Sequence, residues 1–341
     1  MFHFMIQYYC TICNKECFLL ICAQGLTKQY GDKLALDGAG FVIDEGQVVG
    51  LLGLNGAGKS TTMNILTGCI SATSGTATIG GHDIAANPRQ AKRITGYLPE
   101  SPAFYPEMNV GDHLNFLCGL KGVSSGRGAH IDGLCRLVGL DGMQRRMVRN
   151  LSKGYRQRLG FAGALVGNPR AIILDEPTVG LDPSQIVEMR RLIKDAGRRG
   201  TVIVSSHILS EIQAMCDRVI VLSKGRVIAD CRTDEMAKSL APGSRVWARI
   251  LGGAEEIQAV LSRVPGMRSV KRIAQNEPGA WDFELESTGG TDIRVPVFGA
   301  LAEAGLPLLA SHDIDAGASL EEAFLRLANG PVDAAGEGDA R

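Results

Sequence analysis

Residues 53–61 read Gly-Leu-Asn-Gly-Ala-Gly-Lys-Ser-Thr, the spacing GxxxxGK[ST] of a phosphate-binding loop. The apolar run before it, residues 48–52 (VVGLL), predicts a buried strand. From Lys59 the pattern turns helical, and Gly68 supplies a natural C-terminal stop. A strand, a glycine-rich turn and a helix start, in that order, is the context the motif requires. Glycines let successive N–H groups turn toward one point, and a helix start adds free N–H groups and partial positive charge. Lys59 then reaches β- and γ-phosphates, while the Ser60 hydroxyl is available to Mg²⁺. Gly53, Leu54, Asn55, Gly56, Ala57, Gly58, Lys59, Ser60 and Thr61 are all candidate nucleotide contacts.

The loop leaves the class of nucleotide-binding protein open, and four later segments narrow it. Residues 151–158 read LSKGYRQR, 171–177 AIILDEP, 180–183 GLDP and 203–207 IVSSH. In this order the series resembles the ATP-binding cassette (ABC) ATPases, over about residues 22–240. The resemblance implies roles for particular residues. Residues 151–155 take the place of the signature loop, with Ser152 and Gly154 suited to a γ-phosphate. Asp175 is then the Walker B aspartate that holds Mg²⁺, and Glu176 the catalytic glutamate that accepts a proton from the attacking water. Asp182 belongs to the D-loop and His207 is the switch histidine beside the γ-phosphate. Tyr30 matches the adenine-stacking aromatic, and Glu100, in GYLPE, occupies a metal-ligating slot that usually holds glutamine.

The resemblance also implies ATP and Mg²⁺ as cofactors and a head-to-tail pair of cassettes. In that pair each ATP touches the phosphate loop of one copy and the signature loop of the other. Two departures stand out: Lys153 replaces a glycine and Tyr155 a glutamine. The LSKGYRQR form is similar to the ABC-2-type exporter branch that includes gliding-motility ATP-binding proteins. Plainer readings exist for the isolated residues. Asp175 and Glu176 could be a solvated strand end, His207 a helix cap, Tyr30 a core residue, and Glu100 or Lys153 simply solvated.

Composition excludes other classes. The 341 residues carry 36 basic and 36 acidic side chains, a balance without the basic footprint of a nucleic-acid binder. No apolar run approaches the ~18–20 residues that span a bilayer, so a transporter built on this chain needs a membrane permease as a separate chain. Residues 1–23 hold Cys10, Cys13, Cys17 and Cys22 of nine cysteines. Cys10 and Cys13 have metal-like spacing but no second close pair. Residues 1–20 therefore read as a poorly ordered extension.

The expected fold is an α/β nucleotide-binding cassette over residues 21–240, with a parallel-sheet core, an antiparallel β region and a helical subdomain at 101–160. Asp182, Pro183 and Gln185 predict the start of a helix over 184–197 through an N-cap, a first-turn proline and a capping box. Residues 243–330 change to the order βαββαβ, a small α+β domain, followed by a helix at 320–328 and a disordered tail at 331–341. His312 and Asp313 read as surface polar residues. The function expected is ATP hydrolysis that powers an ABC-2-type exporter, with a second cassette and a multi-span permease as partners, peripheral on the cytoplasmic face of the cell membrane. The alternative is a soluble ABC ATPase acting on ribosomes or DNA. A P-loop kinase or GTPase is disfavoured by the signature loop and His207.

Overall fold

The computed structural model describes residues 19–234, 245–288 and 292–313. The chain divides into two compact units, Met1–Thr233 and Asp234–Arg341. The first unit opens on two long antiparallel strands, β1 (Leu19–Tyr30) and β2 (Lys33–Asp44). These join β4 (Ser74–Ile79) and β5 (His82–Asp83) in a four-stranded sheet of order β2-β1-β4-β5. The start of β1 corrects the expected extent of the leading extension. Leu19 already pairs with Asp44, and Leu20 is buried. Cys10, Cys13 and Cys17, the helix expected at 320–328 and the tail at 331–341 lie outside the described residues.

The second sheet holds β3 (Val48–Leu52), β6 (Thr95–Leu98), β7 (Ala171–Asp175), β8 (Thr201–Ser206), β9 (Arg218–Ser223) and β10 (Arg226–Arg232). Their order is β10-β9-β3-β8-β7-β6. All neighbours are parallel except β10, which turns back antiparallel to β9. β3, β7 and β8 are buried along their whole length, which is why they read as continuous apolar runs rather than alternating ones. A parallel strand covered on both faces can expose polar groups only at its ends. Asp175, the last residue of β7, is such a group.

Between the two sheets lies α1 (Lys59–Leu66), whose Met63, Ile65 and Leu66 join Ile21, Leu26, Leu36 and Ile43 of one sheet with Val49, Leu51, Ile173 and Ile203 of the other in one core. Each such side chain contributes roughly 1.5–3 kcal/mol by leaving water. This core fixes the phosphate loop between the sheets. The other helices of the unit are α2 (Pro88–Arg93), α3 (Val110–Leu120), α4 (Arg127–Val138), α5 (Lys153–Ala164), α6 (Pro183–Gly197) and α7 (Leu209–Met215). Among the described residues, three helix starts are capped by side chains. Asn109 accepts from Asp112 N, Ser152 from Tyr155 N and Asp182 from Gln185 N. The Gln185 side chain does not close a capping box. It packs instead in the space that a Cβ on Gly154 would fill.

The second unit runs β11 (Arg245–Leu251), α8 (Ala254–Leu261), β12 (Met267–Glu277), β13 (Ala280–Ser287), α9 (Arg294–Glu303) and β14 (Leu308–Asp313). Its sheet is antiparallel throughout, in the order β12-β13-β11-β14. Val246, Ala248 and Ile250 alternate inward along β11 and meet Phe283, Leu285, Ile257, Leu261, Val297 and Leu301 in a separate core. His312 is exposed and stacks on Trp247 with ring centroids 4.7 Å apart.

Candidate nucleotide and hydrolysis site

The turn between β3 and α1 is held by close backbone contacts. Gly58 has φ 108°, and a Cβ there would lie 2.7 Å from the Ala35 carbonyl oxygen. Only glycine takes that conformation in that space without strain. The first intrahelical bond runs from Thr62 N to Gly58 O at 2.9 Å, so the N–H groups of Lys59, Ser60 and Thr61 point out of the helix start. Lys59 is buried at 6% exposure, and its ammonium donates to the Gly53 carbonyl at 2.7 Å. The same ammonium lies 3.4 Å from Glu176 Oε1.

The ends of β7 and β8 meet the phosphate loop. The Ser205 hydroxyl donates to Asp175 Oδ1 at 2.6 Å and accepts from Glu176 N at 2.8 Å. Ser60 Oγ is 3.5 Å from Asp175 Oδ1. Two hard oxygens thus sit beside the loop, the donor chemistry that Mg²⁺ takes. Glu176 has φ 48°, a left-handed backbone unusual for a residue with a side chain. Its Oε2 is 3.0 Å from His207 Nδ1, and His207 is partly exposed. The carboxylate therefore bridges a buried lysine and an accessible imidazole.

A cleft of about 560 Å³ opens over these groups, lined by Tyr30, Lys33, Ala35, Asn55, Gly56, Gly58, Lys59, Ser60, Thr61, Glu100, Glu176, Val179 and His207. The expected phosphate-loop residues Gly53, Leu54 and Ala57 support it from behind, Ala57 through its carbonyl bond from Gly225 N at 3.0 Å. Tyr30 is 48% exposed at the rim, with the Lys28 ammonium 5.2 Å from its ring centroid. Glu100 is exposed on the cleft lining. Ser152, Gly154 and Asp182 do not line this cleft. Ser152 and Asp182 cap α5 and α6. The Lys153 ammonium lies against Gly180, in the space of its absent Cβ, so this lysine contacts the D-loop segment of its own chain.

Motif reading missed Ser205, Lys33, Ala35 and Val179. A serine ending a buried strand has no sequence signal of its own; only the pairing of β7 with β8 sets Ser205 beside Asp175. Tyr97 donates its hydroxyl to Asn64 Oδ1 at 3.2 Å, tying β6 to α1. Burial, and next the charge of Asp175, push that phenol well above its ordinary pKa, so it stays protonated.

The sequence and fold have counterparts among known proteins. The family model described as ABC transporter matches residues 36–179. The bacitracin transport ATP-binding protein BcrA of Bacillus licheniformis is 39% identical over 215 residues, which cover 62% of this chain and 70% of the relative. The chain belongs to the ATP-binding cassette transporter ATPases. The lantibiotic transport ATP-binding protein SrtF of Streptococcus pyogenes is 38% identical over 212 residues, 62% of this chain and 90% of the relative. A solved structure of the ATP-binding subunit of an ABC transporter aligns with a TM-score of 0.59 and 31% identity, covering 64% of this chain and 92% of that one. As an ABC ATPase the chain binds ATP and Mg²⁺ and hydrolyses ATP. Among the described residues, no helix is long and apolar enough to cross a membrane.

Proposed function

We propose that this cassette powers an ABC-2-type exporter, working as a pair of cassettes against a multi-span membrane permease at the cytoplasmic face of the membrane. The observation that carries the reading is the convergence of Lys59, Ser60, Asp175, Glu176 and His207 within 3.5 Å contacts at one cleft. ATP-binding proteins of bacitracin and lantibiotic transport are the relatives that support the transport role.

Each side chain has a task that follows from its position. The phosphate loop and Lys59 hold the β- and γ-phosphates. Ser60 and Asp175, with Glu100 on the cleft lining, would hold Mg²⁺ through oxygens, and its charge would offset that of the phosphate oxygens. Phosphate competes with Glu176 for the Lys59 ammonium, 3.4 Å from that carboxylate. Glu176 is then left to accept a proton from the attacking water, and His207 orients it. Tyr30 stacks on the adenine. Ser152, Gly154 and Asp182 serve the nucleotide of the second cassette, which accounts for their distance from this chain's own cleft.

The permease reading centres on residues 101–125. A groove of about 910 Å³ there is walled by Pro102, Phe104, His113, Leu117 and Leu120, with Arg89, Lys92, Arg93 and Lys121 among its basic residues. Burial lowers the pKa of both His113 and Lys121. An apolar floor with a basic rim suits an amphipathic helix that carries acidic residues.

The test is kinetic. Lys59→Ala should lose nucleotide binding. Glu176→Gln should bind ATP, lose about 10²–10⁴ in turnover, and accumulate as an ATP-bound dimer on gel filtration. Unchanged turnover in Glu176→Gln would remove the base from the mechanism.

A further inference from the structure

None of the steps above uses the carboxylate of Glu211. It stands in the first turn of α7, four residues after His207, and is 4% exposed. Its Oε2 accepts the Thr178 hydroxyl at 2.6 Å and the Ser206 hydroxyl at 3.3 Å. Thr178 lies two residues after Glu176, in the turn that follows β7. Ser206 immediately precedes His207, and its hydroxyl also accepts from Ile208 N at 3.0 Å. A single oxygen therefore ties the loop that carries Glu176 to the loop that carries His207.

Two physical points make this more than packing. Among the described residues no cation pairs with Glu211; its buried carboxyl, costly to take out of water, is met at Oε2 by two hydroxyl donors. A leucine of similar volume would fill the space without that cost. The left-handed backbone at Glu176 (φ 48°) also has to be held by its surroundings. The Ser205 hydroxyl holds it at its own N–H, and the Thr178–Glu211 bond holds it two residues on.

We infer that Glu211 is a positioning residue for ATP hydrolysis: through Thr178 and Ser206 it sets the approach of Glu176 and His207. The inference rests on Glu176 being the base and His207 its partner. Displacing a reacting group by about 1 Å costs on the order of 10²-fold in rate, so loss of the clamp acts on kcat and leaves ATP binding to the phosphate loop. Glutamine retains a carbonyl oxygen that accepts hydroxyl protons, whereas leucine does not.

The experiment measures steady-state ATPase activity, affinity for a fluorescent ATP analogue and melting temperature of the full chain. The variants are Glu211→Gln, Glu211→Leu, Thr178→Val and the double variant Glu211→Leu/Thr178→Val, with Glu176→Gln as control. Glu211→Leu should lower kcat about tenfold or more, with analogue affinity within about threefold of wild type. Glu211→Gln should recover most of the activity. The double variant should be no worse than Glu211→Leu alone, because both changes break one unit. If Glu211→Leu does not fold, Thr178→Val carries the test, lowering kcat with affinity retained. A folded Glu211→Leu with wild-type kcat, equal losses in Glu211→Leu and Glu211→Gln, or additive losses in the double variant would each overturn the inference. Wild-type turnover in Glu176→Gln overturns the reading of the site itself; a stalled Glu176→Gln beside a fully active Glu211→Leu overturns the clamp alone.

Discussion

Two polar clusters in this molecule are built from similar side chains and have opposite uses. At the ends of β7 and β8, Asp175, Glu176 and Ser205 are buried beside Lys59, which contacts Glu176. On one face of the second unit's sheet, Arg245, Arg249 and Arg268 face Glu284, Asp282 and Glu286. There Arg249 bonds Asp282 through two nitrogens at 2.6 and 3.0 Å, and a third contact reaches Glu277. The partners are cross-strand neighbours, Arg249 opposite Asp282 in the β11–β13 register. Each of these three arginines has a carboxylate beside it. The first cluster instead has an excess of acceptors and too few cations, so an added cation would complete it.

The topology explains the contrast. A parallel strand buried on both faces admits polar groups only at its end, where several strands and a helix start converge on one point. An antiparallel strand with one inward face spreads its polar residues along its length, where neighbouring strands neutralise them pair by pair. Density of charge alone therefore does not mark a site; unmatched charge at strand ends does.

The largest expected effect that sharpens the contrast is at Ser205. Ser205→Ala removes a donor from Asp175 and an acceptor from Glu176 N, both buried. It should cost about 1–3 kcal/mol of stability and lower ATP turnover about tenfold. Turnover at the wild-type rate would mean that the first cluster tolerates a broken pair as a structural grid does.

Asp282→Ala should act in the opposite way. It leaves Arg249 and Asn276 each short of a partner, a loss of about 1–3 kcal/mol, seen as faster hydrogen exchange in β11 and β13. ATP turnover should not change. The hydrogen bonds from Arg249 hold the Asp282 carboxyl below its ordinary pKa. A depressed folded-state value stabilises above the unfolded carboxylate pKa of about 3.9 and fades as pH falls through the folded value. Protection of these strands against exchange should therefore fall below about pH 4 in the wild type, and Asp282→Ala should lack that acid step. A fall in turnover would break the division between the two clusters.

The smallest effect is expected at Arg268, whose pair with Glu286 is well exposed. Arg268→Ala should cost about 0.2–1 kcal/mol, less at high salt. A larger loss by the same hydrogen-exchange measurement would mean that the outer grid acts as a network rather than as separate pairs.

Much of the fold was legible in the residues. The phosphate loop, the apolar runs of β3 and β7, the N-cap Asp182 and the order βαββαβ all have local signals, because strand period, glycine turns and caps are short-range chemistry. The extension read over residues 1–20 runs two residues too far, because β1 begins at Leu19. Its opening residues, Leu19 and Leu20, read like the apolar stretch before them, and only the pairing of Leu19 with Asp44 separates the two. A capping box at Gln185 was expected from spacing, but packing sends that side chain to Gly154. Motifs named Glu176 and His207 individually; they carried nothing about a 3.0 Å contact between them.

What the sequence by itself determined is therefore which chemistry the chain can carry: a phosphate loop, two carboxylates at a strand end and a histidine after the next strand. The tertiary structure alone decided how these are held. Ser205, Thr178, Ser206 and Glu211 lie up to 33 residues apart in their hydrogen-bonded pairs, and each is an ordinary residue in its own local sequence. They become a unit because the parallel pairing of β7 with β8 brings two loop ends together, and a buried polar group there must find its partner across the sheet rather than along the chain.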